Sequence, residues 1–273
     1  MKKLLTVLAS LALVAGLTAC SGKGGSSDDV LKVSATLDPH AKILEAAAPI
    51  LEDKYGIELE IEVLDDYYIF NKALDAGEVD ANYFQHVPFF NSEVEANGYD
   101  IVNVAGIHIE PFGFYSKTVS SISALPNNAE IVISNSISDH GRILSILDKA
   151  GVITLKSGVS ALEATTADIV SNPKNVTFKE IKPELLTLAY ENGEGDLVAI
   201  NGNYAIQAGL NPTEDSVLLE QADSTNPYVN IVACKAGNEN SDKIKALVEV
   251  LKSEEIKSFI SSTYSDGSVI PAE

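Results

Sequence analysis

The single arginine among nineteen basic residues, Arg142, closes the run Ser134-Asn135-Ser136-Ile137-Ser138-Asp139-His140-Gly141-Arg142, which follows one predicted strand and opens one predicted helix. A planar guanidinium at such a loop can hold a carboxylate through two parallel hydrogen bonds, a geometry no lysine reproduces. As a plain surface cation in the first turn of a helix it would oppose the macrodipole. Other chemistry is less well represented. Ser138, Asp139 and His140 are adjacent in sequence, whereas the members of a hydrolytic triad converge from separate segments. His108-Ile109-Glu110 matches half of a zinc-deaminase signature, and the Pro-Cys-x-x-Cys half is missing. His40, His86, His108 and His140 lack cysteine partners and i, i+4 spacing, so no metal set is expected. With no glycine-rich phosphate loop, Gly-x-Ser-x-Gly elbow or His-Glu-x-x-His either, no cofactor and no catalytic residues are expected.

Residues suited to binding are more numerous. Phe84-Gln85-His86-Val87-Pro88-Phe89-Phe90 sits where a strand hands over to a helix, the place where open α/β sheets bind ligands. Tyr67, Tyr68, Phe70 and Phe84 supply aromatic walls near that point. Asn201, in Ile200-Asn201-Gly202-Asn203-Tyr204-Ala205, follows a strand, and Asn230, in Asn226-Pro227-Tyr228-Val229-Asn230, lies within one. Taken singly, the asparagines read equally well as turn or cap residues, and the aromatics as core.

The elements that must position these groups alternate between strand and helix. Leu31–Ala35 alternates as a half-buried strand does, and Asp38-Pro39 then predicts an N-cap with proline at the first helical position. Ile43, Leu44, Ala47, Ile50 and Leu51 share one face of that helix, and Gly56 stops it. Strands are predicted over 57–64, 81–84, 101–104, 131–133, 176–181, 197–200 and 228–233. Helices are predicted over 71–76, 88–97, 141–149, 183–190, 204–208, 241–252 and 254–263. Strands separated by helices predict an α/β fold of mixed, mostly parallel sheets with helices on both faces.

Location is written at the N-terminus. Lys2 and Lys3 precede an apolar run from Leu4 to Leu17, and Leu17-Thr18-Ala19-Cys20 has the form of a lipobox. The run is too short for a spanning helix. Residues 1–19 are therefore expected to be a lipoprotein signal peptide, Cys20 the lipid attachment point and 20–29 a flexible tether, placing the mature chain on the extracytoplasmic side of a cell membrane. A net charge of −20 argues against nucleic acid and against adhesion to anionic lipid through a basic footprint. Cys234, in Ile231-Val232-Ala233-Cys234, reads as a buried small hydrophobe.

Five blocks carry a resemblance. Asp80–Phe89, Glu110-Pro111 with Gly113 and Tyr115-Ser116-Lys117, Gly141-Arg142, Ile200–Ala205 and Asn226–Asn230 resemble the methionine-binding lipoproteins of the NlpA/MetQ family, in the family's order and over nearly the whole mature chain. The resemblance implies the substrate-binding protein of an ABC importer. It would be a monomer with a two-lobed, periplasmic-binding-protein-like (type II) fold and a ligand cleft between lobes. One lobe would take residues 30–115 plus 229–273 and the other 116–228. Its partners would be a small amino acid, methionine, and the importer's permease, with the membrane reached through the N-terminal lipid. By the same resemblance Arg142 grips the α-carboxylate, Asn201 and Asn230 hydrogen-bond the amino-acid backbone, and Tyr67, Phe84 and His86 line the side-chain pocket, with Glu110 a candidate for the α-ammonium.

The chain departs from the family pattern near the pocket. Asn135-Ser136-Ile137-Ser138-Asp139 stands where Asn-Asp-Pro-Thr-Asn is usual, and Phe70 where proline is usual. These changes bear on side-chain specificity, so another apolar amino acid or a methionine-containing peptide stays an open reading, as does a surface adhesin built on the same fold.

Overall fold

A computed structural model describes residues 29–224 and 226–273; the signal segment, Cys20 and the tether through residue 28 lie outside the described residues. The chain opens with β1 (Val30–Ala35), α1 (Lys42–Tyr55), β2 (Glu58–Val63), α2 (Tyr67–Ala76), β3 (Ala81–His86), α3 (Val87–Asn97) and β4 (Ile101–Ile109). It continues through β5 (Gly113–Tyr115), β6 (Glu130–Ser134), α4 (Ile137–Lys149), β7 (Thr154–Leu155), β8 (Ile169–Ser171), β9 (Thr177–Ile181) and α5 (Leu186–Glu191). After β10 (Leu197–Ile200), α6 (Gly202–Gln207), α7 (Pro212–Asp215) and β11 (Leu218–Leu219) it returns as β12 (Val229–Lys235), α8 (Asp242–Leu251), α9 (Glu254–Thr263) and β13 (Ile270–Pro271).

Two main sheets result. One has the order β13-β4-β12-β3-β1-β2 and the other β11-β5-β10-β6-β9. Alternation predicts mostly parallel pairing, and here the structure differs. Only β1–β2, β1–β3, β6–β10 and β6–β9 are parallel. The returning β12 inserts antiparallel between β3 and β4, and β5 runs antiparallel to β10 and β11. Strand β5 hydrogen-bonds in the second sheet, so Gly113–Tyr115 belongs there and the outward crossing falls at 110–112, ahead of the expected boundary at 115. The reason is covalent brevity: with β4 ending at Ile109, three residues carry the chain across.

Helix ends follow local chemistry. The face of α1 set by Ile43, Leu44, Ala47, Ile50 and Leu51 is buried, and Gly56 ends it at φ 67°, a left-handed cap that costs glycine little. Asp38 does not cap this helix. It is extended, precedes a cis peptide to Pro39, and gives its carboxylate to Lys42 Nζ at 3.2 Å and to the Tyr264 hydroxyl. Helix α2 starts four residues before the predicted 71, because Asp66 accepts the Tyr68 N–H at 2.9 Å as its N-cap. Helix α4 likewise starts at Ile137 rather than 141, which puts Asp139 in its first turn.

The apolar residues form one core on the first sheet against α1, α8 and α9 and a second on the other sheet against α4. A third cluster joins the two: Tyr67, Phe70, Phe84 and Phe89 pack with Tyr115, Val198, Ile200 and Tyr204. Cys234 lies fully buried in β12, and burial, with the charge of Glu239, pushes its thiol up to about 11. Native protein should therefore leave Cys234 unmodified by a thiol reagent at pH 8 and yield one modified thiol there only in denaturant; rapid native labelling would contradict this burial.

Candidate functional site

Tyr67, Phe84, His86, Arg142, Asn201 and Asn230, distant in sequence, line one cavity. Gln85, Phe89, Glu110, Asp139, Gly202 and Asn203 complete the wall. Phe70 is not part of it: its ring lies beneath that of Phe84, stacked at 4.0 Å and fully buried.

Helix α4 brings Arg142 to the cavity, where it is 4% exposed. Its Nε donates to both Glu220 oxygens at 3.2 Å, and Nη2 donates to Glu220 Oε2 at 2.5 Å and to the Glu110 carbonyl at 2.8 Å. Its guanidinium carbon lies 4.3 Å from the Tyr228 ring centre and 5.2 Å from that of Phe112. Nη1 makes no hydrogen bond to any described residue. Glu220 also accepts from the Phe112 N–H and from Asn226 Nδ2. Burial would raise the Glu220 carboxyl, but the charge and hydrogen bonds of Arg142 outweigh it and hold the group below its ordinary range.

Two amide groups face the cavity with one end unsatisfied. Asn201 Nδ2 donates to Asp139 Oδ2 at 3.3 Å, which leaves Asn201 Oδ1 buried without a partner. Tyr67 donates its hydroxyl to Asn203 Oδ1, which leaves Asn203 Nδ2 buried without one. One is an acceptor and the other a donor, a combination suited to a ligand carrying both an ammonium and a carboxylate. His86 caps α3: its Nδ1 accepts the Phe89 N–H at 3.1 Å, so its one ring proton is on Nε2, which donates to Asp139 Oδ1 at 3.1 Å. Burial pushes the Asp139 carboxyl up, yet the bond from His86, the Arg142 charge and the Asn201 amide leave it below its ordinary value.

The aromatic side is a shelf. Tyr67 stacks on Tyr204 at 4.9 Å, with the Phe89 and Phe84 rings at 5.8 and 5.9 Å. Such faces suit an apolar or thioether side chain.

At the base, His40 and His108 meet Glu110, each offering an atom within 4.8 Å of the others. The ring nitrogens are all occupied. His40 Nδ1 pairs with Thr36 Oγ1 and its Nε2 with Asn230 Oδ1; His108 Nδ1 accepts from the Tyr83 hydroxyl and its Nε2 donates to Glu110 at 2.8 Å. Burial holds both imidazoles down to about 3, so both are neutral. Desolvation also raises the Glu110 carboxyl. Elsewhere His140 bonds the Ser134 carbonyl at 2.9 Å while Ser138 pairs with Ser136, so Ser138, Asp139 and His140 form no nucleophile–base pair.

Gly202 is required by close approach: a β-carbon there would stand 2.7 Å from Glu110 Cβ and 2.8 Å from Glu110 Oε2. Gly202→Ala should push Glu110 off its base and weaken ligand binding by roughly tenfold or more, with little change in overall melting; unaltered affinity in a calorimetric titration would show that Glu110 placement is immaterial.

Asn203, two residues beyond Asn201, had a local signal in the strand-to-helix switch it shares. Glu220 had none, lying 78 residues from Arg142.

Two mixed sheets joined by short crossings, with a polar, aromatic-walled cavity between them, define a two-lobed periplasmic-binding-protein-like fold. The chain belongs to the NlpA lipoprotein family, whose model matches residues 31–273. It is 48% identical to the methionine-binding lipoprotein MetQ of Bacillus subtilis (strain 168), over 99% of each chain. Among solved structures, an ABC transporter periplasmic substrate-binding protein from Coxiella burnetii matches at 36% identity and a TM-score of 0.82, covering 89% of this chain and all of that one. A nutrient-binding protein from Burkholderia cenocepacia bound to methionine matches at 34% identity and a TM-score of 0.83, with the same coverage. Among the described residues no helix is long and apolar enough to cross a membrane.

Proposed function

We propose that this protein is a lipid-anchored substrate-binding protein that captures L-methionine or a close analogue and passes it to an ABC permease, with no chemistry of its own. The observation that carries the reading is the pairing, in one cavity, of a buried guanidinium edge and two unsatisfied amide ends with an aromatic shelf. The polar ends fit an amino acid's backbone and the shelf fits its thioether. The names of the relatives support the same ligand and the same importer class. In this reading Cys20 bears the lipid, the tether holds a monomer at the extracytoplasmic face, and the lobes built on the two sheets close about the crossings at 110–112 and 226–229.

The test is native mass spectrometry of the purified protein before and after unfolding and refolding, followed by calorimetric titration with the standard amino acids. Methionine found bound, or binding on titration, is the expected result. Tight binding of another amino acid alone would keep the class and move the ligand, and no binding at all would remove the reading.

A further inference from the structure

We propose that the cavity is built first for a cation: its ligand is a primary amine whose ammonium sits against Asp139 and the amide oxygen of Asn201, and this ammonium contributes more to affinity than the ligand's carboxylate. The inference rests on the amino-acid reading above and deepens it.

It follows from the charges in the wall. Arg142 is the one Lys or Arg side chain lining the cavity, and Glu220 already holds it through Nε and Nη2. That pair is neutral before a ligand arrives. The Arg142 charge also reaches Asp139, but no Lys or Arg among the described residues contacts it. Its two side-chain hydrogen-bond partners are the Asn201 amide and Nε2 of His86, whose Nδ1 accepts the Phe89 N–H. Glu110 is buried with His108 Nε2 at 2.8 Å, and burial raises its carboxyl. The wall therefore carries Asp139 as a carboxylate beyond the one that balances Arg142. A buried anion without a counter-charge is strongly unfavourable. An incoming ammonium offsets that charge, while an incoming carboxylate adds to it and gains only the free Nη1 edge and Asn203 Nδ2.

Asn201 Oδ1 supplies the independent sign of what belongs there. It is a buried acceptor without a donor, on the same amide whose other end touches Asp139. An N–H-bearing cation placed against Asp139 satisfies both.

Calorimetry on the detergent-solubilised full-length protein at about pH 6, below the ordinary α-amino range, tests this with three probes: L-methionine, L-methioninamide and 4-(methylthio)butanoate. Relative to methionine, loss of the ammonium should cost at least roughly a hundredfold in affinity, and loss of the carboxylate charge about tenfold or less. Asp139→Asn, which preserves shape, should bring the two penalties together. If the desamino acid binds the native protein as well as the amide does, or Asp139→Asn leaves the gap intact, the inference is overturned while methionine binding stands. If neither methionine nor any standard amino acid binds, the functional reading fails and takes the inference with it.

Discussion

Arg142→Ala should weaken methionine binding by at least roughly tenfold and lower stability by about 3–5 kcal/mol. The first effect follows from losing the cationic edge that faces the cavity. The second follows from what the substitution leaves behind. Glu220 is about one-tenth exposed, and its remaining partners would be the Phe112 N–H and the Asn226 amide. A carboxylate kept low by a guanidinium at 2.5 Å would become a buried anion without its cation. The two losses separate in the double variant. Glu220→Gln in the Arg142→Ala background should recover much of the stability and little of the affinity. Denaturant melts and calorimetry on the same preparations measure both. Full affinity in Arg142→Ala would exclude Arg142 from ligand contact, and an unshifted melt would mean that the ion pair is structurally idle.

Acidification below about pH 6.5 should destabilise the protein through its buried imidazoles. His40 and His108 are neutral in the fold down to about 3, whereas an unfolded chain protonates each near the ordinary histidine value of 6.5. Between those values the unfolded state binds more protons, so stability rises with pH across the window and is lost as pH falls below about 6.5. Each ring contributes about 1.4 kcal/mol per pH unit. Glu110 opposes the slope, because burial makes it take up a proton in the fold earlier than in the unfolded chain. The net loss from pH 7 to pH 5 should be roughly 2–4 kcal/mol. Asp139 and Glu220, held below their ordinary values, add their loss only at still lower pH. Urea melts at pH 7, 6 and 5 measure the slope, and His40→Gln should flatten it by one proton. A profile flat from 7 to 5 would mean that the two imidazoles are not buried as described.

Much of this molecule is legible in its sequence where the signal is local. The alternation of 31–35, the apolar face of α1 and the glycine stop at 56 each report on a few neighbouring residues, and the backbone obeys them. The starts of α2 and α4 were less legible. Tyr67–Phe70 read as pocket wall and Ile137–His140 as loop, but Asp66 caps the first and Ser136 precedes the second, carrying both helices four residues further toward their N-termini. That shift turns Asp139 from a loop residue into a first-turn carboxylate directed at the cavity. Strand direction was misread where it depends on the return of the chain: nothing local to Val229–Lys235 says that it inserts between β3 and β4. Of the site, a lone arginine and strand-end asparagines were visible as unusual types in telling places. Glu220, the neutral histidines and the surplus of negative charge were not, because each is a relation between residues tens of positions apart.

Phe112 lies on the outward passage between the sheets and Tyr228 on the return, and the Arg142 guanidinium rests against both rings at 5.2 and 4.3 Å. In mechanical terms the side chain is a rivet through both passages. Relative rotation of the sheets has to slide one ring or the other across the guanidinium, and any force a ligand exerts on that group loads both passages at once. Tightness of grip and the coupling of the two passages are consequently one adjustable quantity in this protein: a substitution that frees the rivet changes both.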